Sequence, residues 1–184
     1  MSPKRDSYCS YCGSAFVPPL AWPRTCAQCG VTIWANPVPV TITLVPLRVG
    51  ERTGLLVVRR AIEPGIGRLA LAGGFLEEHE TWQEGAAREV REETGIAIDA
   101  GALVPFWFAS SDPRPNRVLL FCVAPPIDTA GIAPWIRDHE TMERGVVFGP
   151  QGLEEEFVFS LHVEAAKRWM AHEGLSGAHG FTAI

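Results

Sequence analysis

The segment 74–96 holds seven of the chain's 21 acidic residues. Glu89, Glu92 and Glu93 are three or four residues apart, so a helix would bring all three to one side. Like charges at these spacings cost about 0.2–0.5 kcal/mol each. A bound divalent cation would offset this repulsion, and oxygen ligands on an open face suit Mg²⁺ or Mn²⁺. The helix pattern alone also fits a solvated surface on which neighbouring arginines pair with these carboxylates.

The cysteines form a second group with chemical potential. Four of the five lie in the first 30 residues, in two Cys-x-x-Cys pairs separated by 13 residues, and each pair is followed by a glycine. The pairs are Cys9 with Cys12 and Cys26 with Cys29. Two such knuckles can place four thiolates around one Zn²⁺, and glycine suits the tight turn. We expect a structural zinc ion, because four thiolates leave no position for water. A redox dithiol and a rubredoxin-like iron site are the alternatives.

Composition limits the classes of protein to consider. The chain has 184 residues, is 47% hydrophobic and carries a net charge of −5. This composition predicts one globular core with a small appendage, and the charge argues against nucleic acid as a partner. No apolar run follows the basic residues near the N-terminus, as it would in a secretory signal peptide. No segment of the sequence is long and apolar enough to span a membrane, so we expect a cytoplasmic protein with no membrane partner. Cys122 is expected to be a buried strand residue.

The acidic segment is predicted to contain one helix. Thr81 and Glu84 fit a capping box at its start, and Gly95 fits its C-terminal stop. Ala86 and Val90 lie on the side opposite to the carboxylates, where small apolar residues can pack flat against a sheet.

Alternating apolar residues predict strands on either side of this helix. The segments are 40–47, 54–60, 68–77 with a break at Gly73-Gly74, 102–110, 116–126 and 144–149, and a second helix is predicted at 159–172. We therefore predict a zinc ribbon at 1–35, a mixed α/β domain at 36–172, and a flexible tail or dimer arm at 173–184.

The full spacing of the acidic segment resembles a known motif. Its defined positions are Gly74, Glu80, Arg88, Glu89, Val90, Glu92, Glu93, Gly95 and Ile96. They match the Nudix box of the Nudix hydrolases at every defined offset. The resemblance implies an α/β (α+β) fold, a Nudix α/β/α sandwich with a mixed sheet, preceded here by a small zinc ribbon. It also implies that a homodimer can form.

The resemblance implies a role for each residue of the box. Glu89, Glu92 and Glu93 would ligate Mg²⁺ or Mn²⁺ with help from the Gly74 carbonyl, and one glutamate would act as general base. Arg88 would orient the carboxylates by ion pairing. The remaining box acid, Glu80, would hold the loop and helix in register.

One further acid is expected from the loop before the last predicted strand. Glu140 is the first choice as a metal ligand and Glu143 the second, with an ordinary loop glutamate as the alternative. Arg59 and Arg60, at a strand end near the box, could meet phosphate or lie on the surface. Two aromatic residues, Trp107 and Phe108, could stack on a base or flavin, but alternation sends one of them into the core.

A zinc ribbon followed by a Nudix box is similar to the FAD and ADP-ribose pyrophosphatases and, more distantly, to the NADH pyrophosphatases. The implied reaction is Mg²⁺-dependent hydrolysis of a nucleoside diphosphate linked to another moiety, such as FAD or ADP-ribose, with release of AMP. The NADH group carries a proline-rich signature that segment 106–124 matches only faintly. The alternatives are an NADH pyrophosphatase or NAD-cap RNA hydrolase, and a non-catalytic nucleotide-binding module.

Overall fold

The computed structural model describes residues 6–111, 117–137 and 139–184. The chain divides into two compact units between Pro37 and Val38. Among the described residues, no helix is long and apolar enough to cross a membrane.

The first unit is a small module built around its cysteines. Two short strands, β1 (Arg24–Thr25) and β2 (Thr32–Ile33), pair antiparallel. The guanidinium of Arg24 donates to the carbonyl of Leu20 over 2.8 Å and lies 3.9 Å from the ring of Trp22. These contacts hold the loop between the two cysteine pairs, where apolar side chains such as Val17 are exposed instead of forming a core.

The second unit contains two mixed sheets. Its described strands are β3 (Val38–Leu44), β4 (Pro46–Val49), β5 (Arg52–Arg60), β6 (Leu69–Ala70), β7 (Ala72–Phe75), β8 (Val104–Ser110), β9 (Arg117–Val123), β10 (Ile127–Asp128), β11 (Thr141–Val147) and β12 (Phe181–Ala183). One sheet has the order β7-β3-β9-β8, and the other has the order β10-β4-β5-β11-β12 with β6 beside β5. The pairs β3–β9 and β4–β10 are parallel and the others antiparallel.

Helices cover two different apolar clusters of this unit. They are α1 (Trp82–Thr94), α2 (Leu153–Glu156) and α3 (Ser160–His172). Along β5, Leu55 and Val57 pack in one cluster with Met170 of α3, whereas Leu56 packs in the other with Val90 of α1. Alternate strand residues therefore face different helices, as the period of two requires. The mixed α+β fold predicted from the sequence is confirmed.

Two predicted strands change sheet partway along. The predicted strand 40–47 is two strands, because the chain leaves β3 and joins the other sheet as β4 after Val45. Pro46 follows Val45 directly and has no N–H with which to continue the hydrogen bonding of β3. Similarly, the break in 68–77 falls at Leu71 and not at Gly73-Gly74, which lie inside β7. The Leu71 N–H donates to Nδ1 of His162 over 3.1 Å.

The end of the chain differs from the expected flexible tail. Residues 181–183 form β12, which pairs antiparallel with β11. The ring of Phe181 occupies the space beside Gly145, where a Cβ would lie 2.4 Å from a ring carbon. A three-residue strand after a glycine-rich stretch has too short a pattern to be read from sequence, and it forms because β11 offers an unpaired edge.

Candidate active site

Helix α1 begins and ends as predicted. The Thr81 hydroxyl accepts a hydrogen bond from the Glu84 N–H, and the Glu84 carboxylate accepts one from the Thr81 N–H over 2.8 Å. Gly95 has a φ of 70°, and its N–H donates to the Arg91 carbonyl. The capping box and the left-handed glycine fix where the helix starts and stops, so they also fix which side chains face the sheet.

Arg88 ties this helix to the loop that precedes it. Its guanidinium donates to both oxygens of Glu80 over 2.7 and 3.0 Å, to Glu89 over 2.8 Å and to Glu92 over 3.0 Å. A fifth bond reaches the Phe75 carbonyl over 3.0 Å. The bonds to Glu80 raise the pKa of Arg88 and lower the pKa of Glu80. One guanidinium therefore holds three carboxylates.

Glu89 and Glu93 are less well neutralised. Burial raises the pKa of Glu89 despite its bond to Arg88. The pKa of Glu93 is raised to about 8, chiefly by burial and further by the charges of Glu89 and Glu140, and a hydrogen bond from the Gly73 N–H (3.0 Å) opposes the rise. These carboxylates therefore share an electrostatic environment that favours an added proton or another cation.

Two glycines of the loop and helix make room for these carboxylates. A Cβ at Gly74 would lie 2.5 Å from a carboxylate oxygen of Glu89. A Cβ at Gly85 would lie 2.5 Å from a methyl carbon of Leu76 and 2.7 Å from a carboxylate oxygen of Glu80. Glycine is therefore needed at position 74 because the Glu89 carboxylate lies against strand β7 at this point. The need for a second glycine, at the start of the helix, follows from the position of Glu80.

Of the two candidate acids beyond the box, the structure places Glu140 beside the cluster. Its charge raises the pKa values of Glu89 and Glu93. Glu143 instead accepts a hydrogen bond from Arg59 over 3.0 Å, one strand away. We refer to Glu89, Glu92, Glu93 and Glu140 as the acidic cluster.

The acidic cluster fits a hard cation by its donor chemistry, since it offers carboxylate oxygens whose mutual repulsion a metal would relieve. Its oxygens are not gathered as a closed set of ligands. Among the described residues, only the four N-terminal cysteines form a group of three or more candidate ligand atoms within 4.8 Å of one another. Arg88 Nη1 occupies one oxygen of Glu89 and one of Glu92, which leaves the other oxygen of each carboxylate to face elsewhere.

The four cysteine sulfurs have the spacing of a tetrahedral metal site. The Sγ atoms of Cys9 and Cys29 are 3.7 Å apart. Those of Cys12 and Cys26 are 3.6 Å apart. Thiolates bound to zinc at about 2.3 Å lie about 3.8 Å from one another in a tetrahedron. The cysteines are free thiols, and their arrangement fits zinc without a rearrangement of the backbone.

The two knuckles repeat one backbone conformation. Gly13 donates to the carbonyl of Cys9 and Gly30 to that of Cys26, both over 2.9 Å. Their φ values are 73° and 74°. A side chain at either position would be strained, which is the physical reason for glycine after each pair.

The aromatic candidates separate as the alternation predicted. Trp107 stacks on Phe121 at 5.0 Å between ring centroids, and the guanidinium of Arg168 lies 4.5 Å from the Trp107 ring. Phe108 is 73% exposed, so of this pair it is the one whose ring is open to a ligand.

Sequence reasoning missed two residues of this site. Gly73 contributes its backbone N–H to Glu93, and His162 supports the loop through Leu71. The Gly73-Gly74 doublet was a usable signal for a close backbone approach. A lone histidine on an amphipathic helix carries no such signal.

The family follows from comparison with known proteins. The family model described as "NUDIX domain" matches residues 38–175. This chain therefore belongs to the Nudix family.

Its curated relatives include proteins named NAD-capped RNA hydrolase NudC. The protein from Deinococcus radiodurans is 29% identical over 118 residues, which cover 64% of this chain and 41% of that protein. The protein from Shigella flexneri is 29% identical over 96 residues, which cover 52% of this chain and 35% of that protein. The chain thus spans less than half the length of these curated relatives.

Solved structures show the same fold. A NUDIX hydrolase from Nitrosomonas europaea superposes with a TM-score of 0.65 at 22% identity, covering 94% of this chain and 96% of that one. The NUDIX domain of Shewanella oneidensis NrtR, solved in complex with ADP ribose, superposes with a TM-score of 0.63 at 14% identity, covering 76% and 90%. The Nudix fold predicted from the resemblance is confirmed.

Proposed function

We propose that this protein hydrolyses the pyrophosphate of a nucleoside diphosphate linked to another moiety, with Mg²⁺ or Mn²⁺, and releases AMP from an adenine-containing substrate. The observation that carries the proposal is the acidic cluster, in which Arg88 holds Glu89 and Glu92 while the charge of Glu140 raises the pKa of Glu93. Such a site binds cations that in turn bind phosphate.

The metal would be held by the acidic cluster together with the Gly74 carbonyl. When bound, it supplies charge neutralisation of the pyrophosphate and lowers the pKa of a coordinated water. Arg88 keeps Glu89 and Glu92 oriented, and Glu80 locks Arg88 in place through two hydrogen bonds. The protein's part is therefore to present several carboxylates at once, on a helix that its caps hold fixed.

One carboxylate must also accept the proton of the attacking water. Glu93 is our choice for this base, because a hydrogen bond from the Gly73 N–H over 3.0 Å orients its carboxylate within the acidic cluster. Its pKa is raised to about 8. The Gly73 N–H fixes one of its oxygens and leaves the other available to the water.

Adenosine-diphosphate compounds are the substrates with the most support. FAD and ADP-ribose come first by the sequence resemblance. The fold also matches a NUDIX domain crystallised with ADP ribose. Zinc in the cysteine module is proposed to be structural, because its four thiolates leave no open position.

The curated relatives favour a second candidate, an NADH pyrophosphatase or NAD-capped RNA hydrolase. Those proteins are named NAD-capped RNA hydrolases, at 29% identity over part of the chain. The bond broken would be the same pyrophosphate, so only the group attached to it differs. The net charge of −5 disfavours strong binding to RNA through its backbone.

A hydrolysis panel tests the proposal. We would incubate the zinc-loaded protein and Mg²⁺ or Mn²⁺ with FAD, ADP-ribose, NADH, NAD-capped RNA, diadenosine polyphosphates and nucleoside triphosphates, and separate the products by chromatography. The Glu93→Gln variant should lose turnover. The matched control is Glu164→Gln on α3, whose partner is Arg168, and it should keep full activity.

The panel separates the candidates. AMP from FAD or ADP-ribose supports the first, and faster release from NADH or capped RNA supports the second. Binding without turnover of any compound, measured by calorimetry, would contradict hydrolysis and leave a nucleotide-binding module.

A further inference from the structure

Two adjacent arginines end β5, and their surroundings differ. Arg59 donates to Glu143 over 3.0 Å and lies 3.9 Å from a carboxylate oxygen of Glu156. Its guanidinium also lies 4.8 Å from the ring of Phe181 and bonds to the Gly67 carbonyl. The charge of Arg59 is therefore neutralised within the protein, and its side chain joins three segments of the fold.

The hydrogen bonds of Arg60 go to backbone carbonyls. Its Nε donates to the carbonyl of Pro64 over 2.8 Å and its Nη2 to that of Glu63 over 3.4 Å. Its guanidinium lies 5.3 Å from the ring of Phe159. Within the described parts of the chain, no carboxylate lies within ion-pairing distance of it. The side chain is thus oriented and half-buried, and its positive charge acts on the Glu93 carboxylate, whose pKa it lowers from beyond ion-pairing distance.

Arg60 lies next to the acidic cluster, since its charge lowers the pKa of Glu93. Arg60 is paired with Thr141 across the β5–β11 ladder. The N–H of the following residue, Ala61, donates to the carbonyl of Glu140 over 2.7 Å. Strand β5 therefore places Arg60 at the edge of the site, beside the backbone of Glu140.

A diphosphate substrate needs such a group. The acidic cluster repels an anion, and a metal held by carboxylates neutralises only the phosphate oxygens that face it. Arg88 cannot serve the remaining oxygens, because its five donors are occupied by Glu80, Glu89, Glu92 and a carbonyl. Arginine binds phosphate with two parallel N–H bonds when its fork is held in place.

We propose that Arg60 binds the phosphate of the substrate opposite to the metal-binding carboxylates and so sets affinity for the diphosphate. The inference rests on the proposed function. Arg60 is a binding residue here, oriented by the Pro64 carbonyl and by Phe159, whereas Arg59 stabilises the fold. By sequence either arginine could meet phosphate or lie on the surface, and of the two Arg59 is held by an ion pair to Glu143.

Calorimetry with the non-hydrolysable diphosphate α,β-methylene-ADP and Mg²⁺ tests the assignment, beside kcat and KM for ADP-ribose or whichever compound the panel ranks first. Arg60→Gln should bind the analogue about 10- to 100-fold more weakly, the range for a lost charge-assisted bond. Arg60→Lys should recover part of the loss, because it keeps the charge without the fork. Arg59→Gln should bind within about twofold of the wild type, although it melts at a lower temperature.

Three results would overturn the assignment. Arg60→Gln binding as tightly as an active wild type would show that the arginine does not touch the diphosphate. If Arg59→Gln weakened binding of the analogue as much as Arg60→Gln, the loss would come from disturbing the end of β5 and not from a contact of Arg60 with phosphate. A wild type that neither binds the analogue nor hydrolyses any compound would overturn the proposed function and this inference with it, whereas a wild type that turns over with normal Arg60→Gln binding overturns this inference alone.

Discussion

Replacing Arg88 by methionine should destabilise the second unit, because three carboxylates lose the cation that holds them. The side chains of Arg88, Glu80 and Glu89 are 19%, 13% and 15% exposed. Breaking a fully buried ion pair by removing one partner costs about 3–5 kcal/mol. For this partly buried set we expect the lower end, about 3 kcal/mol. That loss corresponds to a melting temperature about 6–12 °C lower for a domain of this size.

Denaturation with urea at pH 7.5 would measure the free energy of unfolding directly. The matched control is Arg91→Met, an exposed arginine on the same helix, which should cost under about 1 kcal/mol. Adding Glu80→Gln to Arg88→Met should restore part of the loss, because it removes the carboxylate with the shortest bond to Arg88. Mg²⁺ should also stabilise the variant, through Glu89 and Glu92. A cost of less than about 1 kcal/mol for Arg88→Met would refute the reasoning that one guanidinium neutralises the set.

Three further outcomes follow from individual residues. Cys12→Ser should abolish stoichiometric zinc in the purified protein, measured by elemental analysis, and should make the N-terminal module sensitive to protease; full zinc retention would contradict a four-thiolate site. Gly74→Ala should cut kcat at least about tenfold with the helical circular dichroism unchanged, because the added methyl would displace the Glu89 carboxylate. Burial lowers the pKa of His162 to about 3, below its ordinary value near 6.5. Unfolding therefore takes up a proton below pH 6.5, so the stability contributed by the neutral ring is complete above that pH and about 2 kcal/mol is lost at pH 5. His162→Asn, which retains an acceptor for the Leu71 N–H, should show a flatter fall of unfolding free energy between pH 7 and pH 5, and an identical slope would contradict the assignment.

The parts of the fold with a strong local signal were predicted well. Thr81, Glu84 and Gly95 determine the limits of α1 through bonds between residues three or four apart, so the sequence contains everything needed to place them. The same is true of the knuckle glycines, whose conformation depends on their own turns. The spacing of the acidic segment also predicted the Nudix family, and the family model confirms it.

What the sequence could not predict depends on contacts between distant segments. A strand that alternates correctly gives no sign that it leaves one sheet for another at Val45 or Leu71, because both sheets have one face toward each helix. Arg59 differs from Arg60 through its ion pair with Glu143, a residue more than 80 positions later. Pairing at that range needs the assembled sheet.

The bond between Leu71 and His162 has a dynamic consequence. An amide paired within a ladder exchanges its proton with solvent when that ladder opens, but the Leu71 amide is covered by a side chain from α3. Its exchange should therefore report the undocking of α3. The Gly73 amide, two residues further on, is held by Glu93 of α1. The stretch from Leu71 to Gly73 is thus bound to α3 at one end and to α1 at the other, so strand β7, which carries Gly74, should not open unless α1 or α3 moves first.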